Sequence, residues 1–337
     1  MMEATRYDTA MQELYTKAGV PYNDIFDYQF ADKTIIFDRF YNFCQTNLTD
    51  HCKEAEIQPA MFFYNPEDRV NARAKQRNGY YLIEVFRGLI IKLYDHFYNY
   101  NEAFDLDGGL KQMYVALLPK DTPPGYLMYQ VATQFTYYHE RAHLIQRSPL
   151  LTQSLDEEYL HQPVPAFDMH RHLLEFDADM DAAQFICFHI VDYWKKLPAI
   201  QQNVTTITSL MALAVSSLFT FFVFLEGKET QLYYKEKIHP HPIIRISYIM
   251  DILTGVAEQN LPDMSFKAGL VLREAFDISE RIALANERPN PIERYTRVFA
   301  TEHQGIADYV GLLIQESDKI PNLVKNRFGE QSKSKAR

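Results

Sequence analysis

The chain is poor in cysteine, and its three cysteines, Cys44, Cys52 and Cys187, are odd in number and stand at no metal-ligand spacing. That argues against a disulfide framework and against a cysteine zinc cluster, and it fits a reducing interior. There is no excess of positive charge either: 34 Lys and Arg stand against 44 Asp and Glu, for a net charge of −10. Neutralising phosphates takes a basic face, so no nucleic-acid partner is expected. The first residues, MMEATRYDTAMQELY, lack the basic-then-apolar build of a signal peptide, and a cytoplasmic location is the resulting expectation. No internal repeat is visible. Charge is missing altogether from VTTITSLMALAVSSLFTFFVFL, Val204 to Leu225. A run this long can span a bilayer, but a central helix buried on all sides has the same appearance.

What is present is the composition of a folded protein: 47% of residues are hydrophobic and 337 residues are enough to bury a large core. Residues 1–58 read as an aromatic-rich helical lead-in. AMFFYN is strand-like and ends at the turn-forming Asn65-Pro66-Glu67-Asp68. Residues 70–88 read as a hairpin turning at Arg77-Asn78-Gly79, and Gly88 opens an apolar helix. A looser acidic section runs to Pro123-Pro124-Gly125. Long helices are expected over 126–147 and 166–196, a further helix after His239-Pro240-His241-Pro242 that ends at Gly255, and helix again over 257–318.

The helix over 126–147 carries His139-Glu140-Arg141-Ala142-His143. On a helix, positions i and i+4 share a face, so two imidazoles can converge on one metal, and Glu140, about 100° round the wheel, can lie beside the metal's water without binding the ion. Val131, Phe135 and Leu144 recur at helical spacing, and Ala132 and Phe135 continue the histidine face, which therefore points inward. A buried carboxylate beside two imidazoles is costly unless a cation compensates it. Catalytic zinc takes three protein ligands. The third should be an acid, histidine or cysteine on a neighbouring rigid element. Glu175, 32 residues after His143, is the leading candidate, with His170 and His172 as rivals on the same helix. Asp179 shares Glu175's face and could accept the free N–H of a ligating histidine. Asp177 and Asp181 read as a solvated acidic stripe, and the small Ala142 and Ala178 would let the two helices approach closely.

H-E-x-x-H followed by the E-x-x-A-D of Glu175 to Asp179 resembles the gluzincin metallopeptidases, and more narrowly the HtpX-like and the Lit-like phage-exclusion peptidases. Asn71-Ala72-Arg73-Ala74 with the following GYYLIEVFRGLI is similar to the N-A-x-A hairpin that precedes the active helix in the HtpX-like family. His239-Pro240, six residues before Arg245-Ile246, is similar to its downstream H-P-x-x-x-x-R-I element. The match spans roughly 70–250, in the family's order. It departs from the family in the long interval between Gly88 and His139 and in the absence of membrane helices before the hairpin.

The resemblance implies an α+β, mostly helical fold: a zincin-like core over 59–256 with a small sheet or hairpin next to the active-site helix, after the lead-in 1–58. A helical extension over 257–325 and a basic, disordered tail over 326–337 follow. It implies Zn2+ held by His139, His143 and Glu175, Glu140 as general base, His239 (or His241) and Arg245 near the oxyanion, and a substrate strand added along Asn71 to Ala74. The expected partner is a protein or peptide substrate, and a Lit-like role in phage defence would follow from the same analogy. A single span at 204–225 would put Glu175 and the 239–245 element on opposite sides of a bilayer, and the run is too short for two spans. No stable membrane span is therefore expected, although loose membrane association stays compatible. Two rivals are a zincin-fold regulatory or binding module without turnover, and a protease anchored through 204–225.

Overall fold

The computed structural model describes residues 6–98, 104, 108–119, 122–147, 151, 167–226, 231–237, 239–285 and 291–326. The lead-in gives α1 (Arg6–Thr16) and α2 (Thr34–His51). Three strands follow: β1 (Ala60–Asn65), β2 (Ala72–Arg77) and β3 (Tyr80–Phe86). β3 is central, parallel to β1 and antiparallel to β2, with Ala72 opposite Val85 and Arg73 opposite Glu84. The β2–β3 turn sits at Asn78 and Gly79, with φ of 48° and 80°. Both residues are left-handed, as a two-residue hairpin that follows the strand twist requires, and Asn-Gly is the pair that tolerates this best. Glu84 lies buried on one face of the sheet, bonded to Arg73, Lys75 and Asn65.

α3 (Arg87–Tyr98) leaves β3 directly. Its Gly88 lets the backbone at Asp68 pass so close that a Cβ would meet the Asp68 carbonyl oxygen at 2.0 Å. Within the section expected to be loose, a helix forms after all, α4 (Gly108–Leu117), whose Leu110, Tyr114 and Leu117 are buried.

α5 (Pro124–Gln146) starts with a proline in its first turn, where the missing N–H costs nothing, and ends at Arg147 with φ 49°. α6 (Met169–Lys195) is capped by Asp168, whose side chain accepts the His170 N–H. α7 (Val204–Glu226) is the apolar run. It is long and apolar enough to cross a membrane, yet 89% of its most apolar stretch is buried inside the protein. Two of its serines bond to neighbouring elements, Ser217 to the Met128 carbonyl of α5 and Ser216 to Ser279.

α8 (Pro242–Asn260) is capped by His241, whose Nδ1 accepts the Ile243 N–H. The expected stop at Gly255 is overturned, since the helix runs on to Asn260. Val256 and Ala257 are buried beyond the glycine, and that packing outweighs its helix penalty. With α9 (Ala268–Ala285) and α10 (Pro291–Ser317), the described residues make up a mostly helical α+β fold with a three-stranded sheet. One hydrophobic core runs through residues from Tyr7 to Val324, so the lead-in and the C-terminal helices share it with the middle of the chain. The tail expectation falls almost wholly on 327–337, outside the described residues.

α5 and α6 stand at the centre. They pack on each other, α5 also meets α3, α7 and β2, and α6 also meets α8. Ala142 and Ala178 are fully buried on these two helices. Every expected site residue sits on one of these elements or on the approach to one.

Candidate metal centre

His139 and His143 project from α5 onto α6, and their Nε2 atoms lie 3.0 Å apart. From α6, Glu175 brings its Oε2 to 3.2 Å from His139 Nε2 and its Oε1 to 3.5 Å from His143 Nε2. All three residues are buried. Donor atoms about 2.0–2.1 Å from a tetrahedral zinc lie about 3.3 Å from one another, so these separations are compatible with a shared metal ion.

The hydrogen bonds behind the rings fix what each nitrogen presents. His143 Nδ1 is 2.9 Å from Gln146 Oε1, while Gln146 Nε2 donates to the Leu174 carbonyl and to Asp177 Oδ2. With its amide oriented by those two acceptors, Gln146 must accept from His143, which places the proton on Nδ1 and the lone pair on Nε2. His139 Nδ1 is 2.9 Å from Asp179 Oδ1. Burial alone would raise the pKa of Asp179, but Arg245 and His139 bring it down to about 2, so it is an ionised acceptor and His139 is also protonated at Nδ1. Burial lowers the His143 pKa to about 4, which leaves that imidazole neutral at neutral pH. Burial opposes ionisation of Glu175 too, yet the surrounding histidines, His239 first, hold it well below the usual carboxylate range. Two imidazole Nε2 atoms and a carboxylate therefore face one point. A proton on one ring would satisfy one of these contacts, whereas a divalent cation satisfies all three.

Arg245 was expected near an oxyanion, but the structure gives its guanidinium a different contact. It makes a two-pronged bond to Asp179, Nε to Oδ2 at 2.8 Å and Nη2 to Oδ1 at 2.7 Å, and stacks over the Phe222 ring. Tyr248, one turn on, donates to Asp179 Oδ2 at 2.5 Å. Asp179 is thus clamped by Arg245 and Tyr248 while it holds His139. His239 reaches the centre, with its Nε2 3.2 Å from Glu175 Oε2. His241 does not, being the cap of α8 with its ring against Tyr233 and Tyr295. His172 is buried between the Tyr309 hydroxyl and the Lys237 carbonyl, and His170 is exposed, so neither rival joins the ligand triangle.

Glu140 is buried beside His139, 1% exposed. Asn71 is buried at the head of β2, and neither atom of its side-chain amide has a hydrogen-bond partner among the described residues. Ala72 and Ala74 are fully buried, while Arg73 turns to Glu84.

The acidic stripe is not solvated. Asp181 is buried against Arg141, and Asp177 is buried under Gln146 and two backbone amides from the C-terminal end of the chain. α6 is enclosed on these faces, so its carboxylates found partners inside the protein rather than water. Gln146 and Tyr248 were not singled out from sequence, and Asp177 was read as solvated. Gln146 stands at i+3 from His143 and Tyr248 at i+3 from Arg245, a same-face spacing that could have marked them. Nothing comparable links Asp177 to Gln146, because their contact crosses between helices. Compared with known protein families, curated proteins and solved structures, the chain matches none.

Proposed function

We propose that this protein is a zinc-dependent endopeptidase of the gluzincin type, resembling the HtpX-like and Lit-like peptidases, with a zincin-like core around α5 and α6. The observation that carries this reading is the convergence of His139, His143 and Glu175 at 3.0–3.5 Å, with both imidazole protons turned away. Charge supports it: Glu175 and Asp179 are buried carboxylates held in the ionised form, Arg245 is paired with Asp179, and a divalent ion would offset the charge of Glu175. When bound, zinc supplies Lewis-acid chemistry, activating water and polarising a carbonyl.

The protein's own residues then have separable tasks. Glu140, next to a ligand but outside the ligand triangle, accepts the proton of the attacking water and returns it to the leaving amine. His239, whose Nε2 lies 3.2 Å from Glu175 Oε2, is the donor this reading assigns to the developing oxyanion, a contribution of about 2.7–4 kcal/mol by comparison with other oxyanion donors. Arg245 acts through Asp179 to orient His139 and is a positioning residue. β2 lies at the edge of its sheet, where an extended peptide can add as a further strand. The buried, unpaired amide of Asn71 at its head favours a bound partner there, since such a group costs stability when nothing pairs with it. A protein or peptide is the substrate class this edge suits, and a cytoplasmic setting fits the sequence.

Hydrolysis of an unfolded protein such as casein by the zinc-loaded enzyme tests the reading. Glu140→Gln should keep zinc and fold and lose about 10²–10⁴-fold in turnover. His239→Ala should keep zinc and lose about 10²–10³-fold. Undiminished turnover in Glu140→Gln would sink the mechanism.

A further inference from the structure

The C-terminal end of the chain is joined to the metal centre from behind. After α10, Lys325 Nζ bonds to Ser317 Oγ and Asp318 Oδ1, and Asn326 Nδ2 to the Ser317 and Ile320 carbonyls, so residues 317–326 fold back into a compact turn. Leu323 and Val324 are buried beneath it. The turn meets α5 and α6 through three bonds. The Val324 N–H donates to Asp177 Oδ2 at 2.7 Å, the Lys325 N–H to Asp177 Oδ1 at 3.3 Å, and Asn322 Nδ2 to the Gln146 carbonyl at 2.9 Å. Asp177 in turn accepts from Gln146 Nε2, and Gln146 Oε1 accepts from His143 Nδ1. A continuous hydrogen-bonded relay thus runs from the chain end to a metal-facing imidazole. It holds Gln146 from two sides, at its side chain through Asp177 and at its backbone through Asn322.

We propose that residues 322–325 are a latch for His143, so that docking of the chain end and metal affinity are a single coupled equilibrium. The inference rests on zinc binding at His139, His143 and Glu175. Released from the latch, Asp177 loses two N–H donors and Gln146 loses the bond to its carbonyl, and the group that sets the tautomer and direction of His143 is held only by the Leu174 carbonyl and a less restrained Asp177. Partners of this kind behind a ligating histidine are typically worth about 10–100-fold in metal affinity. Coupling is reciprocal, so zinc must favour the docked latch by the same factor. Anything that draws this segment away then loosens the metal, which makes residues 322–325 a natural point of control.

The test is residue-resolved hydrogen exchange on the full-length protein, metal-free and with added zinc, alongside zinc affinity by chelator competition. Zinc should slow exchange of the Val324 and Lys325 amides by about 10–100-fold beyond any slowing of the α9 amides, which report global stability. His139→Ala should abolish that difference. Asp177→Asn should weaken zinc binding by about 10–100-fold. Should that buried change compromise folding, Asn322→Ala, at a half-buried site, should still weaken binding several-fold. Zinc bound by the wild type but not by His139→Ala, with exchange at 324 and 325 following α9 and Asn322→Ala binding zinc like wild type, overturns the latch and leaves the zinc site standing. No zinc bound by the wild type overturns the zinc reading and the latch with it.

Discussion

Two buried ionic clusters lie along the same helix pair, and they settle their charge in opposite ways. Arg141 of α5 and Asp181 of α6 form a closed pair: Nη2 and Oδ2 are 2.9 Å apart, and the guanidinium lies over the rings of Phe185 and Tyr138. One cation meets one carboxylate. A turn away, His139, His143 and Glu175 bring acceptor atoms together, while the one described guanidinium of that cluster, Arg245, is committed to Asp179. Burial is common to both, so burial alone does not mark a functional site. What separates them is whether each charged group meets a single opposite charge within the protein. The closed pair is architecture, and the triangle is a group that could hold a metal ion, which is the reading proposed above.

That contrast can be broken from either side. The largest effect is expected for Glu175→Ala, which removes one of three ligands and should take zinc from about one per chain to near zero by elemental analysis. Retained full occupancy would mean a different ligand set. Next is Arg141→Met, which strands Asp181 without its cation and should cost about 3–5 kcal/mol in denaturant unfolding while leaving zinc stoichiometry unchanged. A loss of zinc in that variant would erase the distinction between the two clusters. Arg245→Lys replaces a two-pronged contact with a point charge and should weaken zinc affinity by about 10–100-fold with the ion still bound at saturation.

The smallest effect concerns His241, near the centre but outside the acceptor triangle. Burial, with Lys237 adding to it, lowers its pKa to about 3, against about 6.5 in the unfolded chain. Between those values the unfolded chain binds a proton that the folded protein does not, so this contribution to stability is complete above about pH 6.5 and is lost as pH falls toward 3. His241→Asn keeps a good helix cap and removes the proton. Its stability should fall less steeply over that window, by about one proton, or about 1.4 kcal/mol per pH unit. An unchanged slope would mean that the His241 ring is not shifted.

The parts legible in sequence were those governed by local spacing. Asn78-Gly79 set the hairpin, His241-Pro242 began a helix, and His139 and His143 at i and i+4 shared a face as geometry demands. The parts that were not legible depend on what packs against an element. Asp177 and Asp181 look like a wet stripe until the chain end and Arg141 close over them. Arg245 in an apolar helix needed a carboxylate, but sequence could not say that Asp179 would take both its prongs. Gly255 failed as a stop because tertiary burial beyond it outweighed a cost of about 1 kcal/mol.

The central claim is that the triangle on α5 and α6 is a zinc site made of two imidazoles and a carboxylate. X-ray absorption at the zinc edge, on full-length protein dialysed against one equivalent of zinc, addresses it directly. The account predicts nitrogen and oxygen neighbours at about 2.0–2.2 Å with the outer-shell signature of two imidazoles, and no sulfur at about 2.3 Å. Zinc surrounded by water alone, or ligated by sulfur, would contradict it.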